Sequence, residues 1–317
     1  MLKALFRLLL IIIVTDFSFA QTNEEDLLFI GHAYGSHNDD DKQLDPILNK
    51  FINQNHNIFE KIIFGGDFIY DCDDDIEVQN FKFFFQSNNV RFVLGNHENC
   101  DSIYRFADIN FGATNYYEKI NDNLILYLNT SIDSFEQSNN LYNFFEEAIK
   151  LELPKNILIF THQLIFSKSD FNIRTNSRKN YKYGNHFYDK IYQKYNNSEL
   201  QFFFFSGDIG AYTLTPYAFY DTDNNFEYFA SGLGNNNYNK GILIKVANNV
   251  EVNFIDLETS LLEPPRKYSK VKVQIYQFPK LLLSFFKNNF KILFLMFIFS
   301  FFLYLLFKRL YYSSSKL

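Results

Sequence analysis

Ile62-Ile63-Phe64-Gly65-Gly66-Asp67 and Arg91-Phe92-Val93-Leu94-Gly95-Asn96-His97-Glu98 repeat one design. A short apolar run ends in glycine, and polar side chains follow at once. Unbroken apolar runs of this length read as strands buried on both faces, and glycine turns the chain at their ends without strain. The design recurs along the chain. Residues 27–30 end at Gly31 and lead to His32, residues 157–160 lead to His162, and residues 202–205 lead to Gly207-Asp208.

Helical patterns lie between these runs. Leu44, Ile47, Leu48, Phe51 and Ile52 fall at i, i+3, i+4, i+7 and i+8, and residues around 78–85 and 141–151 form two further helices. Short strands are expected at 124–128, 226–230, 242–246 and 250–254. Strand-like and helix-like patterns in alternation mark an α/β architecture. Ligands of open α/β sheets gather at the carboxyl ends of strands, and that is where this chain delivers carboxylates, an amide and imidazoles. Oxygen and nitrogen donors of this kind suit a hard or borderline divalent metal.

The motifs resemble those of the calcineurin-like metallophosphoesterase family. Matching segments are Gly66-Asp67, Gly95-Asn96-His97-Glu98, Thr161-His162 and the closing Phe229-Ala230-Ser231-Gly232 with residues 241–246, and the resemblance covers about residues 26–258. The resemblance implies a two-sheet β-sandwich flanked by helices and hydrolysis of a phosphomonoester or phosphodiester. It implies one or two divalent ions, with Mn, Mg, Zn and Fe not separable. Asp67, Asn96 and His162 are the implied ligands, with Asp208 as a carboxylate substitute. His97 is the implied phosphate contact and acid toward the leaving group. Two carboxylates at such a site favour harder ions such as Mg²⁺, Mn²⁺ or Ca²⁺.

Two motifs depart from the family pattern. His32-Ala33-Tyr34 stands where Asp-x-His is usual, and Gly207-Asp208-Ile209-Gly210 stands where Gly-His-x-His is usual. One ion keeps its ligands and the other loses most of them, leaving His32 as a ligand or a base. Tyr70, three residues after Asp67, makes a second site with His32 and Asp67 conceivable, the plainer reading being a packed aromatic. Glu98 and Asp71 read as supporting loop residues. The losses open an alternative: a catalytically impaired pseudoenzyme that binds a phosphorylated ligand or a protein partner. A third reading is an anchored assembly subunit with an aromatic docking surface. Cys72 and Cys100 follow two of the metal motifs, on loops that the implied fold makes neighbours, and an oxidising compartment would let them form a disulfide.

The 317 residues carry a net charge of −6, are 47% hydrophobic and include 40 Phe, 22 Tyr and two Cys. That composition excludes a disordered, collagen-like or disulfide-dense protein. Without a basic excess overall, nucleic acid is not the expected partner. Phe83-Phe84-Phe85 and residues 202–205 read as core filler. Acidic runs at 39–41 and 73–75 read as solvated surface or a weak Ca²⁺ patch.

Charge is divided along the chain. Residues 1–20 carry +1 and residues 266–317 carry +10, which leaves −17 for residues 21–265. Lys3, Arg7, the apolar residues 8–14 and Ser18-Phe19-Ala20 read as a signal peptide over residues 1–20, or as an uncleaved anchor. The sixteen uncharged residues 292–307, between Lys291 and Lys308-Arg309, read as a transmembrane helix over 291–308, or as a membrane-surface helix. The expected organisation is an exported phosphoesterase-like domain over 21–263, a basic linker over 264–290 after Pro264-Pro265, the span, and a cytoplasmic tail over 309–317. A single-pass membrane protein with its domain on the exported side (periplasmic, luminal or extracellular) would meet a phosphorylated small molecule or a lipid-linked substrate.

Overall fold

The computed structural model describes residues 24–35, 44–166, 173, 175–176, 181–211, 215–234 and 239–269, with scattered positions between 271 and 304. It divides into a compact unit ending at Tyr268 and a second unit from Ser269. The first unit holds two mixed sheets of six strands each.

The first sheet is built on β1 (Glu25–Ile30), β2 (Lys61–Gly65) and β3 (Val90–Val93), which run parallel. The second contains β4 (Tyr116–Ile120), β5 (Asn123–Tyr127), β6 (Asn156–Thr161), β7 (Gln201–Ser206), β8 (Ala218–Asp223) and β9 (Phe226–Ser231). Of these β5, β6, β7 and β9 are parallel, and β4 and β8 are antiparallel edges. β10 (Lys240–Val246), β11 (Val250–Asp256) and β12 (Leu262–Glu263) return antiparallel to extend the first sheet beyond β1.

Helices cover the outer faces. On the first sheet lie α1 (Pro46–Asn55), α2 (Asp75–Ser87) and α3 (Asp101–Phe111); on the second lie α4 (Phe135–Glu152) and α5 (Lys182–Tyr195). Strand side chains alternate between faces, which explains the unbroken apolar runs. Phe203 and Phe205 of β7 fill the layer between the sheets, while Phe202 and Phe204 face the helices. The central strands are therefore buried on both faces.

The sequence expected most of these elements but not α3, β4, α5, β8 or β12. Of the run at 83–85, Phe83 is largely exposed and only Phe84 and Phe85 pack against the core. The acidic run at 73–75 begins a helix: Asp74 caps α2 by accepting from Ile76 N and Glu77 N. The expected signal segment 1–20 and the acidic run 39–41 lie outside the described residues, as does most of 291–308. Among the described residues, no helix is long and apolar enough to cross a membrane.

Candidate metal centre

The two sheets meet where strand ends approach backbone to backbone. A Cβ on Gly207, just after β7, would strike the Gly65 carbonyl of β2 and stand 2.9 Å from Gly31 Cα after β1. Only glycine permits that approach, and it sets the ends of β2, β6 and β7 around one buried point. There a ligand atom from each of Asp67, His162 and Asp208 lies within 4.8 Å of the others. Asp67 comes from the first sheet and the other two from the second. Each is almost wholly buried.

Backbone bonds fix the orientation of each group. The carbonyl of His162 accepts from Gly207 N and Asp208 N, both at 3.0 Å, which locks the two second-sheet ligands together. His162 Nδ1 lies 2.9 Å from Gly65 O. A carbonyl can only accept, so Nδ1 bears the proton and the lone pair of Nε2 points inward. Nε2 is 3.4 Å from Asp67 Oδ1 and 3.8 Å from Asp208 Oδ1 and has no hydrogen-bond partner. Burial lowers the affinity of this imidazole for a proton, but the Asp67 and Asp208 carboxylates reverse that and raise it above its ordinary value. Two buried carboxylates facing an orphaned lone pair call for a cation. Donors sharing one ion at about 2.1 Å lie roughly 3–4 Å apart, so these residues fit a divalent ion.

Glu98, wholly buried, organises the loop that bears Asp67. Its Oε2 accepts from Asp67 N at 2.9 Å and Gly95 N at 2.8 Å. Its Oε1 accepts from Phe68 N at 2.8 Å and Ile69 N at 3.0 Å. Burial and the nearby Asp67 charge push its carboxyl up to about 7, against the Ile69 and Asp67 N–H donors and the His162 charge. Glu77 of α2 continues the pattern by accepting from Tyr70 N and Asp71 N. Five successive N–H groups, from residues 67 to 71, thus end on two carboxylates. Glu77 was not singled out in the sequence; the structure places it in the first turn of α2.

The remaining expected site residues border this point. Asn96, half-buried, lies in the loop after β3, and the next residue, His97, directs its N–H to Asp67 Oδ1 at 3.4 Å. The His97 ring has Nδ1 at 2.6 Å from Tyr70 O, so Nδ1 carries the proton, and Nε2 lies 3.4 Å from the Tyr34 hydroxyl. Tyr34, Tyr70 and His97 form a ring cluster with centroids 5.2–5.5 Å apart. Tyr70 is 48% exposed in it, not packed away as its plainer reading had it.

His32 is buried with its Nδ1 unpartnered. Burial is the main cause that pushes it down to about 4; the His162 and His97 charges add to this and Asp67 opposes it. It is therefore a neutral imidazole near neutral pH. His32 and Asp67, at the ends of β1 and β2, both sit at φ +51°, and such left-handed non-glycine residues concentrate at functional sites.

Three findings add to or correct the sequence reading. Gly210 has φ +95°, and a Cβ there would strike the Gly232 carbonyl; the residue that stands for the second fifth-motif histidine has no room for a side chain. Tyr181, at the start of α5, donates its hydroxyl to Asp208 Oδ2, a partner that no spacing in the sequence signals. The expected disulfide is not formed. Cys72 and Cys100 are free, half-buried thiols; burial and the neighbouring Cys100 thiol push Cys72 up to about 12.

A sequence profile of calcineurin-like phosphoesterases matches residues 10–232, and the chain belongs to that family. No curated protein matches the sequence. Among solved structures, a dimetal phosphatase from Danio rerio aligns over 74% of this chain and 99% of its own, with 9% identity and a TM-score of 0.46. A protein from Streptococcus pneumoniae TIGR4, described as a conserved uncharacterized protein and predicted phosphoesterase, aligns over 76% and 94%, with 8% identity and a TM-score of 0.36.

Proposed function

We propose that the chain is a metal-dependent hydrolase of a phosphomonoester or phosphodiester, exported and anchored to a membrane by its carboxyl-terminal apolar segment. One observation carries the catalytic part: the buried Nε2 of His162 has no protein partner and faces two buried carboxylates. Asp67, His162 and Asp208 would hold the ion, with Asn96 and the neutral His32 as further donors. Bound there, a divalent ion supplies Lewis-acid polarisation of a phosphoryl oxygen and a more acidic water. His97 is the proton-handling group. The Tyr70 carbonyl fixes its ring through Nδ1, which leaves Nε2, once protonated, to donate to a leaving-group oxygen. Tyr34, at that same nitrogen, holds it in place between turnovers.

Anchoring is supported by the apolar run at 292–307 beside basic flanks. Helical positions described there, Phe294, Met296, Phe299 and Phe301, expose apolar side chains, as a lipid-facing helix would. Export is supported by the signal-like residues 1–20. A substrate displayed at the bilayer, such as a lipid-linked phosphate, follows from that placement.

The side-chain-free position at Gly210 and Tyr34 in place of a histidine favour a second reading, a phosphate-binding pseudoenzyme that retains one ion. Elemental analysis of the purified chain and an aryl-phosphate assay with Mn²⁺, Mg²⁺ and Zn²⁺, beside Asp67→Ala, separate the two. Bound metal with turnover lost in Asp67→Ala is expected of the enzyme, and bound metal without turnover is expected of the pseudoenzyme. Turnover that survives Asp67→Ala overturns the assignment of the site.

A further inference from the structure

Asp208 has two carboxylate oxygens with different neighbours. Oδ1 faces His162 Nε2 at 3.8 Å, whereas Oδ2 accepts the hydroxyl of Tyr181. The tyrosine is well placed to keep that bond. It begins α5, whose Phe187, Tyr188 and Ile191 are buried against the second sheet. A carboxylate oxygen can only accept, so the Tyr181 hydroxyl is the donor of this bond. Asp208 is fully buried and its backbone is held from both sides, by His162 O at its N–H and by Asn176 N at its carbonyl. With Oδ2 accepting from Tyr181, the carboxylate presents one oxygen, Oδ1, toward His162.

We propose that Tyr181 is a specificity-determining positioning residue: by holding Asp208 Oδ2, it limits Asp208 to one-oxygen ligation and tunes the centre to small divalent ions over Ca²⁺. The inference rests on the metal-binding reading of the site. Ca²⁺ takes six to eight oxygens and uses bidentate carboxylates readily, whereas Mg²⁺, Mn²⁺ and Zn²⁺ accept fewer donors at shorter distances. A carboxylate with one oxygen committed to a phenol suits the second group. Groups that orient a metal ligand commonly change affinity by about 10- to 100-fold when removed.

Isothermal titration of the metal-free full chain with Mn²⁺ and, separately, with Ca²⁺ tests this without recourse to catalysis. Wild type is expected to bind Mn²⁺ well ahead of Ca²⁺. In Tyr181→Phe the ratio of the Ca²⁺ to the Mn²⁺ dissociation constant should fall by about 10-fold, because Oδ2 is released. Asp208→Asn should abolish the effect of Tyr181→Phe, since contacting residues act non-additively. A tyrosine that only supports the fold would lower the melting temperature of the metal-free chain and weaken both ions equally. An unchanged ratio in Tyr181→Phe, or additive effects in the double variant, overturns the inference while the metal centre stands. Wild type that binds neither ion overturns both. Should Tyr181→Phe fail to fold, Tyr181→Met, which fills part of the same space without a donor, should lower the ratio in the same direction, and an unchanged ratio there counts against the proposal.

Discussion

Two single residues carry consequences out of proportion to their chemistry. Glu98 accepts four backbone N–H groups from two loops. In Glu98→Gln one oxygen becomes an amide that cannot accept, so two buried N–H groups lose their partner. Each orphaned donor costs about 1–3 kcal/mol, so a loss of about 3 kcal/mol is expected in chemical denaturation, with weaker metal binding as the Asp67 loop relaxes. An unaltered denaturation midpoint would contradict this account of the loop. Gly210 works the other way. Installing the family's usual histidine by Gly210→His should not create a ligand, because its Cβ meets the Gly232 carbonyl and its backbone stays at φ +95°. The expected result is a protein destabilised by at least about 1–2 kcal/mol whose metal content per chain, by elemental analysis, does not rise. A gain of a second ion would show that this loop can open.

At the scale of elements, the two sheets are tied by charge as well as by aromatic packing. Lys61 of β2, nearly buried, pairs with Glu118 of β4 at 2.8 Å and with Glu25 of β1 at 3.1 Å. Glu118 also accepts the Tyr127 hydroxyl at 2.5 Å. Burial opposes ionisation of Glu118, but the hydrogen bond and charge of Lys61, the Tyr127 hydroxyl and Arg91 together hold its carboxyl below the ordinary value of 4.5. A depressed value in the folded state means that this support is complete above the unfolded value and lost as pH falls through the folded one. Acid unfolding followed by circular dichroism should therefore steepen below about 4.5, and Glu118→Gln should flatten it there. Glu118→Ala, which leaves Lys61 with Glu25 alone, should cost about 3 kcal/mol at neutral pH. Such ties are invisible in sequence because Lys61 and Glu118 belong to different sheets. Element type was legible where apolar runs are buried on both faces, as in β7. It was not legible in α5, whose inward positions Gly184, Phe187, Tyr188 and Ile191 hold helical spacing but are half hidden among tyrosines and lysines. Nor was it legible in β4, an edge strand with one wet face.

For the whole molecule, the candidate centre is where the two sheets are joined, and this explains which of its parts could be read beforehand. Asp67, His162 and Asp208 each follow an apolar run, so their strand-end positions were legible; parallel pairing of β6 and β7 brings His162 and Asp208 together, and docking of the two sheets adds Asp67. Glu77, from α2, holds the loop after Asp67, and Tyr181, at the start of α5, holds Asp208, so no strand-end pattern announces them. Because Asp67 belongs to one sheet and His162 and Asp208 to the other, an ion held by all three binds only when the sheets are docked. Binding of that kind stabilises the folded state by about 2.7 kcal/mol when free metal is 100 times its dissociation constant. For a domain of this size that corresponds to a rise of about 5–10 °C in the unfolding midpoint. Scanning calorimetry of the chain stripped with a chelator and then reloaded with Mn²⁺ should show the rise in wild type. His162→Ala removes the orphaned nitrogen and one of the two second-sheet donors, so the rise should shrink or vanish there, while Cys72→Ser, which touches no expected ligand, should keep it. An equal midpoint with and without metal in wild type would mean that the ion, if it binds at all, does not bridge the sheets.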